Sequence, residues 1–186
     1  MGLIFFWGQM NCGKTCNLLI SANKNLDRSF LIKNSVDKRE NINFIVSRTN
    51  LKIKADLIID KNTSLLENET IKSKNFNKII YLDEAQFLTK KQVEELRVLA
   101  EEINIYCYGL KTNSESYLFE GSKRLIELAD QIIDLDIKPN LCNYCLKANP
   151  IINAKLDKNN NIVKNTDNII ECGYNYITLC WSCWNN

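Results

Sequence analysis

Apolar and polar positions change rhythm repeatedly along the chain, and each change marks an element. It opens with the apolar run Leu3-Ile4-Phe5-Phe6-Trp7, which predicts a buried strand. A glycine-bounded turn follows, and from Lys14 to about Lys24 the pattern predicts a helix. Ser29–Lys33 reads as a second strand, Asn43–Ser47 as a weaker one and Leu57–Ile59 as a short one. Ser64-Leu65-Leu66-Glu67 has capping-box spacing and predicts a modest helix running toward Lys72. Lys78–Leu82 is a strongly β-forming run that stops at Asp83-Glu84. Thr89-Lys90-Lys91-Gln92 is a second capping box, with Val93, Leu96, Ala100 and Ile103 on one face behind it. Ile105–Gly109 reads as a strand, Gly121–Ala129 as a helix with Ser122 as N-cap, and Gln131–Leu135 as a last strand.

Strands that alternate with helices predict an α/β fold, a mostly parallel sheet covered by helices on both faces. Lys138-Pro139 closes that pattern. Beyond it come few helical signals, Asn-rich turns and a cysteine pair at each end, with Asn159-Asn160-Asn161 read as a hairpin tip or loop. The expected division is 1–138, an α/β nucleotide-binding domain, and 139–186, a small metal-tied subdomain.

Composition narrows the picture. With 186 residues, 45% apolar and 25% charged, the chain suits one ordinary domain plus an appendage, not a disordered protein. A net charge of +2 with no basic block gives no sign of nucleic-acid or membrane-surface binding. No run has the length of a membrane span, and the first apolar residues lack the features of a signal peptide, so a cytoplasmic location is expected. There the eight cysteines would stay reduced or hold metal. Histidine is absent, so a general base must be a carboxylate and a zinc site must be built from cysteines or include a carboxylate.

Gly8-Gln9-Met10-Asn11-Cys12-Gly13-Lys14-Thr15 fits G-x-x-x-x-G-K-T between a predicted strand and a predicted helix, the context of a phosphate-binding P-loop. The glycines let consecutive N–H groups face one anion at the positive end of the helix. Lys14 would supply charge to the terminal phosphates and the Thr15 hydroxyl would ligate Mg²⁺. Asp83, at the end of an apolar strand, is the expected second Mg²⁺ partner, against the plainer reading of an acidic turn. Glu84 beside it is the candidate general base for an acceptor hydroxyl, the alternative being a purely structural acid. Asp37, in a polar turn after the second strand, falls on the same sheet edge. Cys142-x-x-Cys145 and Cys180-x-x-Cys183 have the spacing of a closed, tetrahedral Cys₄ zinc site that would tie residues 146 to 179 into a loop. Cys107 reads as a core residue.

Taken in order, these motifs resemble the thymidine kinases found in cytosol, bacteria and large DNA viruses. Gly8-Gln9-Met10-Asn11-Cys12-Gly13-Lys14 resembles that family's G-x-M-x-x-G-K, Asp37-Lys38-Arg39 its D-x-R, and Asp83-Glu84-Ala85-Gln86-Phe87 its D-E-x-Q-F. Tyr108–Thr112 and Leu118–Leu125 resemble its pocket segment and following helix, and Tyr176 stands four residues before Cys180, as in the family. The resemblance implies γ-phosphoryl transfer from Mg²⁺-ATP to the thymidine 5′-hydroxyl, with thymidine triphosphate as feedback inhibitor and a homotetramer. It places Glu84 and Arg39 in catalysis and adds Asp37 and Gln86 to the phosphate-binding set Gly8–Thr15. It lines the base pocket with Met10, Phe87, Leu110, Phe119 and Tyr176, and uses a lasso backbone around Ile169, Ile170 and Glu171 to hold the thymine edge. The departures fall on the nucleoside side. Ser114 stands where the family has an aromatic residue, Asn153-Ala154-Lys155 where it has Thr-x-Arg, and Glu171-Cys172 where it has Gly-Gly. A deoxynucleoside kinase of shifted base preference is therefore the second expectation, and a non-catalytic nucleotide-binding module with a zinc ribbon the third.

Overall fold

Parallel strand pairing organises the chain. The computed structural model describes residues 1–37, 42–72, 77–136, 141–147, 149–164 and 175–186. Arg39, Lys138-Pro139, Ile169, Ile170, Glu171 and Cys172 lie outside the described residues. The elements in order are β1 (Gly2–Trp7), α1 (Lys14–Lys24), β2 (Ser29–Asn34), β3 (Phe44–Val46), β4 (Lys52–Lys54), β5 (Leu57–Ile59), α2 (Glu69–Lys72) and β6 (Ile79–Asp83). They continue with α3 (Lys90–Leu99), β7 (Asn104–Gly109), α4 (Glu120–Leu128), β8 (Gln131–Asp134), β9 (Ile152–Leu156), β10 (Asn175–Leu179) and α5 (Trp181–Asn185). Among the described residues, six strands form one sheet in the order β5-β2-β6-β7-β1-β8. Every pairing within it is parallel. The mostly parallel α/β sheet expected from the sequence is the one found.

Both sheet faces are apolar, because alternate residues of each strand supply one face each. Leu3, Phe5, Ile32, Ile80, Leu82, Ile105 and Cys107 pack on one side with Val93, Leu96 and Ala100 of the α3 region and Leu125 of α4. Phe6, Leu31, Ile79, Tyr81, Tyr106 and Tyr108 pack on the other with Leu18, Leu19 and Ala22 of α1 and with Ile45 and Ile53 of the antiparallel β3–β4 hairpin. Cys107 is fully buried, so it is a core residue as read. Parallel strands bring the ends of β1, β2, β6 and β7 to one edge, and with them the segments that begin at Gly8, Ser35, Glu84 and Leu110.

Some local expectations hold and others shift. The box at Thr89 forms in both directions: Gln92 N–H donates to Thr89 Oγ1 at 3.2 Å, and Thr89 N–H to Gln92 Oε1 at 3.0 Å. The helix expected from Ser64 is instead a single turn that starts at Glu69, because Asn68 Oδ1 accepts from the N–H groups of Thr70 and Ile71. Residues 64 and 65 are held outside any helix by Glu95, whose carboxylate accepts from Ser64 Oγ at 3.0 Å and from Leu65 N–H at 2.6 Å. Ser122 is not the cap of α4, which starts one residue after Phe119. Its buried hydroxyl donates to Leu110 O at 2.5 Å and fastens the helix to the end of β7.

The C-terminal segment has its own small core. β9 and β10 pair antiparallel, and Ile152, Ala154 and Leu179 pack with Cys142, Cys180 and Trp184. Asp157 closes a tight reversal through N–H donors from Asn159 and Asn161, so the Asn-rich run is a hairpin tip. Among the described residues, no helix is long and apolar enough to cross a membrane.

Candidate active site

The loop from Gly8 to Thr15 curls because two residues take left-handed backbone angles, Asn11 at φ 69° and Gly13 at φ 89°. Gly8 has a different reason to be glycine: a Cβ there would lie 2.5 Å from Cys12 Sγ. Lys14 Nζ donates to Gly8 O at 3.0 Å and to Gln9 O at 2.7 Å, so its charge sits in the mouth of the loop. Burial pushes the Cys12 thiol up, which Lys14 partly offsets and the Asp136 carboxylate reinforces. Two distant side chains hold the first half of the loop. Asp136, beyond the end of β8, accepts from Gln9 N–H at 2.8 Å, and Asn153 of β9 accepts from Met10 N–H at 2.9 Å.

Across the loop, Thr15 Oγ1 donates to Asp83 at 3.2 and 3.4 Å. This hydroxyl and carboxylate, hard oxygens converging at the head of α1, are a donor pair suited to Mg²⁺. Glu84 follows in a left-handed conformation, φ 54°, that turns its side chain out of the strand direction. Gln86 fixes it: Gln86 Nε2 donates to Glu84 Oε2 at 2.5 Å, while Gln86 Oε1 accepts from Leu110 N–H at 3.0 Å. The turn bearing Glu84 is tightly enclosed. A Cβ on Gly109 would meet Gln86 Oε1 at 2.7 Å, and one on Gly121 would meet the carbonyls of Ala85 and Leu88 at 2.7 Å. Asp37 lies 3.5 Å from Lys33 Nζ, which is 1% exposed and also donates to Phe44 O.

A cavity of about 400 Å³ joins these groups. Met10, Asn11, Gly13, Lys14, Thr15, Asp37, Glu84 and Gln86 line it toward the loop, and Phe87, Leu110, Ser114, Phe119 and Tyr176 line its apolar side. Phe87 and Phe119 meet edge to face, ring centres 5.8 Å apart. Gly8, Gln9, Cys12 and Asp83 stand behind this lining as supports. Sequence reasoning missed Arg48 and Thr49 of the β3–β4 turn, Asn113 and the supporting Asp136, whereas Asn153, read as a departure on the nucleoside side, does line the cavity. Asn113 carried a signal: an Asn after Lys111-Thr112 in a polar stretch is a turn builder, and its Oδ1 accepts from Glu115 and Tyr117 N–H. Arg48 and Asn153 reach the cavity only through tertiary packing.

The four knuckle cysteines, Cys142, Cys145, Cys180 and Cys183, place their sulfurs within 4.8 Å of one another, with Cys145 and Cys180 at 3.8 Å. A tetrahedron with Zn–S bonds of about 2.3 Å has S–S edges of about 3.8 Å, so the cluster could hold zinc. Burial raises the Cys142 thiol, but N–H donors from Cys145, Cys180 and Tyr144 outweigh it and hold it below the ordinary thiol range, whereas the hydrogen bond with Cys180, followed by burial, pushes the Cys183 thiol up.

A parallel sheet with a phosphate-type loop at its carboxyl edge and Asp83 facing Thr15 is the architecture of P-loop nucleotide-binding proteins. The family model described as "Thymidine kinase" matches residues 1–184. Thymidine kinase of Encephalitozoon cuniculi (strain GB-M1) is 35% identical over 189 residues, covering 98% of this chain and 86% of that protein. Thymidine kinase of Enterobacteria phage T4 is 32% identical over 188 residues, covering 98% and 95%. That of Yersinia pseudotuberculosis serotype I (strain IP32953) is 32% identical over 185 residues, covering 96% and 91%. The chain belongs to the thymidine kinase family, a family of transferases.

Proposed function

We propose that the protein transfers the γ-phosphoryl group of ATP to the 5′-hydroxyl of thymidine, giving thymidine monophosphate for DNA synthesis by salvage. The observation that carries this is the Glu84 carboxylate, locked by Gln86 between the phosphate loop and the apolar wall of a single cavity. ATP phosphates lie against the loop N–H groups at the head of α1, and Lys14 exchanges its loop carbonyls for phosphate oxygens. Thr15 and Asp83 would hold Mg²⁺, which supplies charge neutralisation to the phosphates when bound. Thymidine lies between Phe87, Phe119, Leu110, Met10 and Tyr176, its 5′-hydroxyl toward Glu84. Glu84 accepts the hydroxyl proton as the new O–P bond forms and the bond to the ADP oxygen breaks. Gln86 keeps the carboxylate aimed throughout.

The remaining assignments rest on the family pattern. Arg39 joins Glu84 in catalysis, the backbone of residues 169 to 171 holds the thymine edge, and structural zinc sits on Cys142, Cys145, Cys180 and Cys183. Residues 1–138 form the nucleotide-binding domain and 139–186 the lasso; thymidine triphosphate inhibits, and the working unit is a cytoplasmic homotetramer. Ser114 supports a second reading, since it lines the cavity where the family has an aromatic side chain and leaves space for another base.

The test is ADP release from Mg²⁺-ATP with thymidine, deoxyuridine, deoxycytidine or deoxyguanosine added singly. Thymidine-dependent release is expected, falling about 10²- to 10⁴-fold in Glu84→Gln with ATP binding retained. A clear preference for another nucleoside would establish the second reading, and undiminished turnover in Glu84→Gln would remove the base.

A further inference from the structure

β2 carries a cation in its core. Lys33 is 1% exposed and follows the buried apolar residues Leu31 and Ile32. It pairs in register with Asp83 of β6. Two residues earlier on the same strands, Leu31 and Tyr81 pack toward α1, so Lys33 and Asp83 leave the sheet on that side. There the Lys33 ammonium donates at 2.8 Å to the carbonyl of Phe44, the first residue of the β3–β4 hairpin. It also lies 3.5 Å from an oxygen of Asp37. A turn built on Asn34 brings Asp37 back over it: Asn34 Oδ1 accepts from Val36 N–H at 3.0 Å, and Asn34 O from Asp37 N–H at 3.1 Å. Asp37 lines the cavity, as do Val46 to Thr49 of the hairpin, and Lys33 stands behind both.

Stability does not account for a lysine here. Taking an ammonium out of water costs about what a buried ion pair returns, and an apolar side chain of like volume does as well or better. What Lys33 adds is direction. The hairpin carbonyl aims the ammonium, and the ammonium holds the Asp37 carboxylate on the cavity wall. We propose that Lys33 is a positioning residue for the phosphoryl transfer, touching no substrate and acting through Asp37. The inference rests on the kinase reading above and extends it to a residue outside the cavity.

The test is a double-mutant cycle of Lys33→Met with Asp37→Asn. The measurement is kcat/KM for thymidine at saturating Mg²⁺-ATP, per folded chain, with a urea melt on each variant. Lys33→Met is expected to lower kcat/KM at least about tenfold in the wild type, as a misaimed group does. In the Asp37→Asn background the same substitution should lower it less than about threefold, because the group it aims is already gone. Lys33→Gln keeps a neutral donor and loses the charge; it should fall as Lys33→Met does, and it carries the cycle if Lys33→Met does not fold. Activity per folded chain within about twofold of wild type in the folded Lys33 variant would overturn the inference. So would reductions that multiply in the double variant, the signature of a lysine that acts independently of Asp37. Both results leave the kinase reading standing. A wild type without nucleoside-dependent turnover would overturn that reading, and this inference with it.

Discussion

The sheet domain and the C-terminal ribbon flank the same cavity but hold together by different means. The sheet has two apolar clusters, one on each face, closed by α1, α3 and α4. Hydrophobic area of that extent sustains a fold by itself. The ribbon has a few apolar residues around Cys142 and Cys180, too little to hold two short strands, so its order depends on whatever joins the four sulfurs. The contrast separates a self-supporting part, which presents the phosphate loop, from a conditional part, which presents Asn153 and Tyr176.

The largest effect should come from the sulfurs. Cys180→Ser, or stripping metal with a strong chelator, is expected to unfold the ribbon and abolish nucleoside-dependent turnover, while ATP binding and the main unfolding transition persist. Far-UV circular dichroism with ATP titration checks this, and loss of the sheet along with the ribbon would break the contrast. The converse change is Leu96→Ala, fully buried under the sheet. It should cost about 3 kcal/mol of global stability in urea melts while leaving the ribbon's four sulfurs untouched. Thr89→Ala, which removes one side of the observed capping box, should cost about 1 kcal/mol by the same melts.

Smallest, and pH-dependent, is Asp130→Asn. Leu3 N–H, followed by Arg97, holds the Asp130 carboxyl below the ordinary carboxylate range. A depressed folded-state value means that its stabilisation is present above about pH 4, the unfolded value, and is lost as pH falls through the lower one. The variant should therefore be slightly weaker than wild type at pH 7 and indistinguishable in strong acid; an equal deficit at both would refute the pairing.

Legibility in the sequence follows the same division. The inner sheet strands announced themselves, because a parallel strand buried on both faces reads as a continuous apolar run, as in Ile79–Leu82. The phosphate loop and the Thr89 box were legible because their residue types are demanded by backbone geometry within a few positions. β9 was not. Ile152-Asn153-Ala154-Lys155-Leu156 alternates in strand fashion, but Asn153 and Lys155 look like a solvated face and are buried. Only the docking of the ribbon on the sheet domain reveals that. Ser122 misled for a related reason: a serine near a helix start reads as a cap, whereas here the Leu110 carbonyl, just past β7, takes its hydroxyl. The five-residue α5 is too short to show any period.

Gly109 and Gly121 press bare backbone against the turn that carries Glu84 and Gln86, with no room for a methyl group. That wall behaves as a casting mould. At Gly121 the approach is main chain on main chain, and at Gly109 the Gln86 side chain comes closest, so a larger residue at either position would displace the turn. Change in the site is then left to other positions that line the cavity, such as Ser114 and Asn153.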